Sequence, residues 1–414
     1  MLRLTSRELR TFKDKALWEI VADYKPLEFI NLIASENYVS EEVAQAQGLC
    51  LMNKYAEGYP GKRYYQGCST ADQIETLAIE RLKSLYGTEY ANVQPHSGSQ
   101  ANQAVYLALL QPGDTILSLA LDHGGHLTHG HRLSSSGKLY RSYHYYLNDE
   151  NQLCYESIRE IAIKVKPKLI VTGYSCYTHL IDFERFRKIA DEVGAYLLVD
   201  IAHIAGLIAG GVYPSPVPYA DVITGTTHKV LRGPRGGMIM AAKESLLTRK
   251  INSAVFPGVQ GGPMVHTIAA KAVAFFEAAQ PEYRAYTAQV VLNAQTLATT
   301  LEAQGIKLVF KSTETHTVVI DLSDHTVSGR YMAAYLETLG IITNANMIPR
   351  DQRSALESSG LRLGTAAITT LGFREADCVR LGEVLALVIQ KPEQTAEAYR
   401  ALVKGILDDV LGRI

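Results

Sequence analysis

Between residues 75 and 243, short apolar runs alternate with helix-like stretches, and this alternation limits the fold more than any other feature. The runs fall at 91–93, 115–120, 168–172, 196–200, 221–224 and 237–241, each bounded by glycine, polar or turn residues. Strands that are apolar on both faces need a cover on both, and helices on either side of a mostly parallel sheet supply it. A helix begins near Ser99, just after the first run. The pattern therefore predicts a doubly wound α/β sheet with its functional groups at the carboxyl ends of the strands. After Pro263 the texture changes. One long helical stretch, 266–302, leads to strands at 308–310 and 317–322 and to helices at 329–339, 375–390 and 396–411, a smaller α/β unit. At the other end, residues 7–24 read as an amphipathic helix closed by Pro26, with Leu9, Phe12, Leu17, Ile20 and Val21 roughly on one face. Such a helix either packs on another subunit or folds back on its own domain. The expected division is an N-terminal arm over 1–50, a large α/β domain over 51–275 and a small α/β domain over 276–414.

Length and charge narrow the function classes. At roughly 100–200 residues per domain, 414 residues make two or three domains. Lys and Arg number 41 against 42 Asp and Glu, a formal charge of −1. Phosphate backbones demand a basic excess, so nucleic acid is not an expected partner. The five cysteines are scattered without a C-x-x-C pair, which suggests neither a zinc site nor a disulfide framework and suits a reducing cytoplasm. No apolar run approaches the ~18 residues of a membrane span, and no basic-then-apolar leader opens the chain. A cytoplasmic protein without a membrane partner is expected.

Three local patterns carry chemistry. Thr226-Thr227-His228-Lys229 follows the 221–224 run and precedes a Gly- and Arg-rich loop. A lysine placed there can lose its hydration, which lowers its pKa and makes its amine an imine former; a surface loop lysine is the plain alternative. Asp200 ends the 196–200 run, where a carboxylate must find a cation or cap the next helix. A protonated pyridinium nitrogen is such a cation. Ser97-Gly98-Ser99 opens a helix and offers a phosphate cradle or an ordinary cap. The order cradle, acid, lysine is the layout of fold-type I pyridoxal-phosphate enzymes. His123-Gly-Gly-His126-Leu-Thr-His129 could be taken for a metal cluster, but no acidic ligand set accompanies it and no metal is expected.

Over nearly its whole length the chain resembles the serine hydroxymethyltransferase family. The resemblance is carried by Ile33-Ala-Ser35-Glu-Asn-Tyr38, the segment from Asn53 through Tyr55, Glu57, Tyr64 and Tyr65, Ala91–Asn102 (91–102), His123–Gly130 (123–130), Val199–Gly206 (199–206), Thr226–Lys229 (226–229), Phe256–Pro263 (256–263) and Ser359–Thr365 (359–365). It implies pyridoxal 5'-phosphate as cofactor, tetrahydrofolate as co-substrate, serine and glycine as amino-acid substrates, and a homodimer or tetramer. By the same resemblance Lys229 holds the cofactor covalently, Asp200 faces its ring nitrogen, His126 stacks on its ring, and Ser97, Gly98 and Ser99 cradle its phosphate. His203 and Ser175 match contacts to its phenolic oxygen, and Tyr55 and Gly262 match groups supplied by the other subunit. Arg362 matches the group that takes the substrate carboxylate, with Ser35 and Tyr65 beside it. Glu57 matches the proton-transfer residue; set among tyrosines it is expected to be desolvated with a raised pKa. Thr226 and His228, next to the lysine, belong with the catalytic group. Leu121, Gly125, Leu127 and Asn346 match folate contacts.

The departures cluster on the substrate and folate side. Where the family usually has Asn-Lys-Asn, a proline and an aromatic, this chain has Asn344-Ala345-Asn346, Ala355 and Leu356, and Glu357 is a new acid. A run of threonines is broken by Gly225, which would open room for an extra methyl beside the cofactor, and 174–179 reads Tyr-Ser-Cys-Tyr-Thr-His. These changes predict weakened folate binding. They also fit an alternative, an α-methylserine hydroxymethyltransferase or a folate-independent β-hydroxy-amino-acid aldolase or transaldolase.

Overall fold

The computed structural model describes residues 13–392 and 396–413. Its centre is a seven-stranded sheet: β1 (Tyr90–Asn92), β2 (Thr115–Leu119), β3 (Arg141–Tyr145), β4 (Leu169–Thr172), β5 (Tyr196–Asp200), β6 (Val222–Thr226) and β7 (Gly237–Ala241). The strand order is β1-β7-β6-β5-β4-β2-β3. Neighbours from β6 to β3 run parallel, whereas β7 is antiparallel to both β6 and β1. Six of these strands lie where the apolar runs predict. β3 lies outside those runs, because its sequence RSYHY is largely polar; it is one of the sheet's two edge strands and buries mainly Tyr145.

Alternate residues of each inner strand feed different cores. Leu117, Ile170, Leu197, Val199 and Ile223 pack on one face with α1 (Ser69–Tyr86), while Ile116, Leu169, Val171, Leu198 and Val222 pack on the other with α2 (Gly98–Leu109). The first core also takes Phe275 of α3 (Val265–Ala278). The expected single helix at 266–302 is two. Pro281 has no N–H to continue α3, and it starts α4 (Pro281–Ala303) at a position where a missing donor costs nothing.

α4 joins two hydrophobic cores: Val290 lies in the first, and Leu297 and Leu301 lie in a second. The second core is built on β8 (Thr317–Asp321), β9 (Asn344–Asn346) and β10 (Gly360–Gly364), in the order β8-β10-β9, with α5 (Glu375–Gln390) against it. Residues 308–310 do not form a strand; a single bridge from Leu308 to Ile320 is all that the short segment makes. Ile30 and Leu32 are buried in this second core, and Ile30–Asn31 pairs parallel with Ile341–Ile342, so residues within the expected 1–50 arm are part of the smaller unit.

The leading helix spans Lys15–Ala22, with Asp14 as its cap; Leu9 and Phe12 lie outside the described residues. None of its residues is buried, and Ile20 is 70% exposed. No helix among the described residues is long and apolar enough to cross a membrane.

Candidate active site

The carboxyl ends of β5 and β6 and the start of α2 open onto one cavity of about 290 Å³. Ser35, Ser97, Gly98, Ser99, His126, Ser175, Asp200, His203, Thr226, His228, Lys229 and Arg362 all line it. The fold thus gathers into one place residues more than 300 positions apart in the chain.

Lys229 follows β6 and is buried. Its backbone is held by Asn37, whose Nδ2 donates to the Lys229 carbonyl at 3.0 Å. Burial, with Arg362 and Arg235 nearby, pulls its pKa down to about 7 against the opposing pull of Asp200. Much of its population is therefore a neutral amine at neutral pH, the form that attacks a carbonyl.

Asp200 lies at the end of β5. Burial alone would raise its pKa, but hydrogen bonds and charge prevail and hold it well below the usual carboxylate range. Its Oδ2 accepts from Asn102 Nδ2 at 2.9 Å and from His129 Nε2 at 3.0 Å, and its Oδ1 accepts from the Ala202 N–H at 3.0 Å. Asn102 Nδ2 also donates to Thr128 Oγ1 at 2.9 Å. Thr128 in turn gives its hydroxyl proton to His126 Nδ1 at 2.7 Å and its N–H to the same atom at 3.2 Å. His126 Nδ1 is thus an acceptor, and the ring carries its proton on Nε2. Burial, with His129 close by, pulls its pKa down to about 4, so the ring is neutral and its face suits an aromatic partner.

His126, His129 and Asp200 each offer an atom within 4.8 Å of the others. An acid does therefore accompany the histidine cluster, brought from a distant strand, contrary to the sequence reading. Both Asp200 oxygens already accept hydrogen bonds, and His126 Nδ1 is filled, so the donor set is that of a hydrogen-bonded network.

Ser97 caps α2, its Oγ accepting from the Gln100 N–H at 3.2 Å, a bond worth about 1 kcal/mol. Among the described residues, no acceptor meets the N–H groups of Gly98 and Ser99. A Cβ on Gly98 would lie 2.7 Å from Thr226 Cγ2, so only glycine lets the helix start approach β6 so closely. Free amides at the positive end of a helix dipole, opposite a depressed lysine and a charged aspartate, fit an aromatic phosphate ester with a basic ring nitrogen. Thr226 Oγ1 donates to the Ala202 carbonyl at 3.1 Å, and burial lowers the His228 pKa to about 3.

Arg362 comes from β10 of the smaller unit. Its Nη1 donates to the Ser175 carbonyl at 2.9 Å and its Nε to Asn344 Oδ1 at 3.1 Å, and burial lowers its pKa. His203 stacks on His316, with ring centroids 5.5 Å apart, and His316 Nε2 donates to the Ala34 carbonyl at 3.0 Å. His129, Asn102 and His316 were not singled out by sequence reasoning for these roles. Their signal is three-dimensional, since each acts on a group from another part of the chain.

Tyr55, Glu57, Tyr65 and Gly262 do not line this cavity. They form a separate cluster: Tyr55 and Tyr65 meet edge-on with centroids 5.0 Å apart, and a Cβ on Gly262 would lie 3.3 Å from Tyr55 Cε1. Glu57 is half-buried, and its charge raises the pKa of the exposed Tyr55. Gly125, Leu127 and Asn346 also lie off the main cavity, whereas Leu121 lines a neighbouring one that shares His126 and His129. Asn346 Nδ2 donates to Cys176 Sγ at 3.4 Å.

Two departures read differently in space. Gly225 faces away from the cavity, because the pleat that turns Thr226 inward turns its neighbour outward; a Cβ there would meet Met238 Cε at 2.8 Å. It opens no room for a substrate methyl. Glu357 accepts from Ser328 Oγ at 2.6 Å and lies 4.0 Å from Arg330, so its charge is partly offset within its own loop.

A mostly parallel sheet with a buried lysine past one strand, an acid at the end of the next and a helix start between them is the arrangement of a fold-type I pyridoxal-phosphate enzyme. Comparison with known proteins narrows the class. The family model for serine hydroxymethyltransferase matches residues 11–385. A serine hydroxymethyltransferase of Xanthomonas campestris is 56% identical over 369 residues, covering 89% of this chain and 88% of that protein. Serine hydroxymethyltransferase 1 of Pseudomonas fluorescens is 54% identical over 381 residues, 92% and 91% of the two chains. Serine hydroxymethyltransferase 2 of Pseudomonas putida is 52% identical over 406 residues, 97% of each. The chain belongs to the serine hydroxymethyltransferase family.

Proposed function

We propose that this chain catalyses the reversible transfer of the serine hydroxymethyl group to tetrahydrofolate, giving glycine and methylenetetrahydrofolate, with pyridoxal 5'-phosphate held at Lys229. The observation that carries this reading is the convergence of Lys229, Asp200, the α2 amides and Arg362 on one cavity. When bound, the cofactor supplies an electron sink for cleavage of the serine Cα–Cβ bond.

The chain's own residues take defined parts. The N–H groups of Gly98 and Ser99, with the Ser97 and Ser99 hydroxyls, bind the phosphate. Asp200, kept ionised by His129 and Asn102, holds a proton on the ring nitrogen. His126 covers one ring face, and His203 and Ser175 lie at the phenolic edge. Arg362 orients the substrate carboxylate through the guanidinium edge not used by Ser175 and Asn344, with Ser35 beside it. Thr226 and His228 fix the lysine's approach.

Glu57 is the proton-transfer group, brought with Tyr55, Tyr65 and Gly262 by a second copy of the chain. Supporting this, the cluster is assembled within its own protomer yet presents exposed rings away from that protomer's cavity, Tyr55 being 54% exposed. The exposed apolar side of Lys15–Ala22 fits the same homo-oligomer, a dimer or tetramer. Leu121, Gly125, Leu127 and Asn346 receive the folate, and the cytoplasm is the proposed location.

The test is cleavage of serine and of α-methylserine by the purified protein, each with and without tetrahydrofolate. Serine turnover that depends on tetrahydrofolate is expected. Turnover of α-methylserine alone, or serine cleavage indifferent to folate, would overturn the assignment.

A further inference from the structure

Residues 93–97 carry the chain from β1 into the cradle at the start of α2. Four of their five carbonyl groups are taken up by the protein. Val93 O accepts from Lys271 Nζ at 2.6 Å, Gln94 O from Gln260 Nε2 at 2.8 Å, and Ser97 O from the Ala101 N–H at 3.0 Å. Pro95 O accepts twice, from Lys271 Nζ at 3.0 Å and from the Gly237 N–H at 2.9 Å. The third Lys271 bond goes to the Gly237 carbonyl, the first residue of β7, at 2.8 Å.

Lys271 is on α3, is 1% exposed and lies outside the cavity. A buried cation is costly and is kept only where its bonds compensate. Three carbonyl acceptors match three ammonium donors, and a neutral amine would leave one acceptor unfilled. Burial pulls the Lys271 pKa down to about 7 against the charge of Glu75, which favours the ammonium; the three carbonyl acceptors favour the same form. The surroundings are shaped for it: a Cβ on Gly236 would lie 2.4 Å from Lys271 Cε and 2.9 Å from Nζ.

We propose that Lys271 is a positioning residue for the phosphate cradle: by collecting the carbonyls of Val93, Pro95 and Gly237 on one ammonium, it fixes the loop so that the Gly98 and Ser99 amides are left free for an anion. This rests on the cofactor reading above. It touches no reacting atom; it acts through the loop.

The test compares equilibrium binding of pyridoxal 5'-phosphate and of pyridoxal, which lacks the phosphate, to cofactor-free wild type, Lys271→Met, Lys271→Gln and Gly236→Ala, with thermal melting recorded for each. The Met and Gln variants should lose roughly tenfold or more for the phosphorylated ligand and less than about twofold for pyridoxal. Inorganic phosphate should compete less well in them. Gly236→Ala, which displaces the ammonium without removing it, should move the same ratio. If Lys271→Met does not fold, the Gln and Gly236→Ala variants decide. An unchanged ratio, including equal weakening of both ligands alongside a lowered melting point, overturns the proposal. Failure of wild type to bind pyridoxal 5'-phosphate at all would instead remove the cofactor reading itself.

Discussion

His129 Nε2 lies 3.0 Å from Asp200 Oδ2, with both side chains buried. The contact does more than satisfy a polar pair. Nε2 must carry the ring proton to donate to a carboxylate, and that donation helps hold Asp200 ionised inside the protein. Replacing His129 with Ala leaves Oδ2 with Asn102 alone. A hydrogen bond to a charged group contributes about 1.5–3 kcal/mol. His129→Ala should therefore weaken cofactor binding and slow serine cleavage by roughly tenfold or more, while His129→Gln, which can donate, should recover part of the loss. Cofactor titration with steady-state rates checks both.

Lys229 gives a pH signature. In the unfolded chain its amine holds its proton to the ordinary 10.5, whereas in the folded chain the pKa is about 7. Between those values the unfolded state binds more protons, so stability rises with pH. Cofactor-free wild type should gain stability to denaturant across that window relative to Lys229→Met. Reconstitution with cofactor should also speed up as pH rises through about 7. Lys229→Ala should lose multiple turnover altogether, as single-turnover and steady-state assays will register.

Arg362→Lys keeps the charge and loses the planar fork. With the other guanidinium donors committed to Ser175 and Asn344, a lysine cannot hold those partners and a carboxylate together. The KM for serine should rise by about 2 kcal/mol, roughly thirtyfold, with a smaller change in kcat.

Shared sites predict complementation. Lys229→Ala and Glu57→Ala should each be inactive alone. Mixed and allowed to exchange subunits, they should recover about a quarter of wild-type activity, since half of the dimers are hybrids and each hybrid has one intact site. No recovery after verified exchange would place Lys229 and Glu57 of one site in the same chain.

The folate loop should bind tetrahydrofolate more weakly than its relatives do and gain little from extra glutamates. Leu356 is 76% exposed and has no aromatic face to offer, and Ala345 supplies no cation on β9. One acid near an exposed tail changes affinity by about 0.5–1 kcal/mol, and Glu357 is already partly offset by Arg330. Titration with mono- and polyglutamylated forms in the presence of glycine measures this; a strong polyglutamate preference would refute it.

The sheet was legible because its inner strands are apolar on both faces, as in the LIVT of β4. β3 was hidden because an edge strand needs only one buried face, and β10 because its Gly-Leu-Arg-Leu-Gly reads as a loop until pairing with β8 buries it. Lys229, Asp200 and Ser97 were readable since each is fixed by the strand or helix next to it. His129 and Lys271 were not, because their partners lie 71 and 178 residues away.

Arg362 reaches from the smaller unit to the Ser175 carbonyl of the larger one, while Lys229 and Asp200 stay on the larger sheet. The guanidinium proposed to take the substrate carboxylate is thus also a rivet between the two units, set before any ligand arrives. On that proposal, recognition of the α-carboxylate is prebuilt, and little ordering remains to be done when serine binds. On the same proposal, a compound without that carboxylate leaves the free guanidinium donors unmatched in a buried site, so discrimination against simple alcohols and amines comes from the joint between the units as well as from the charge.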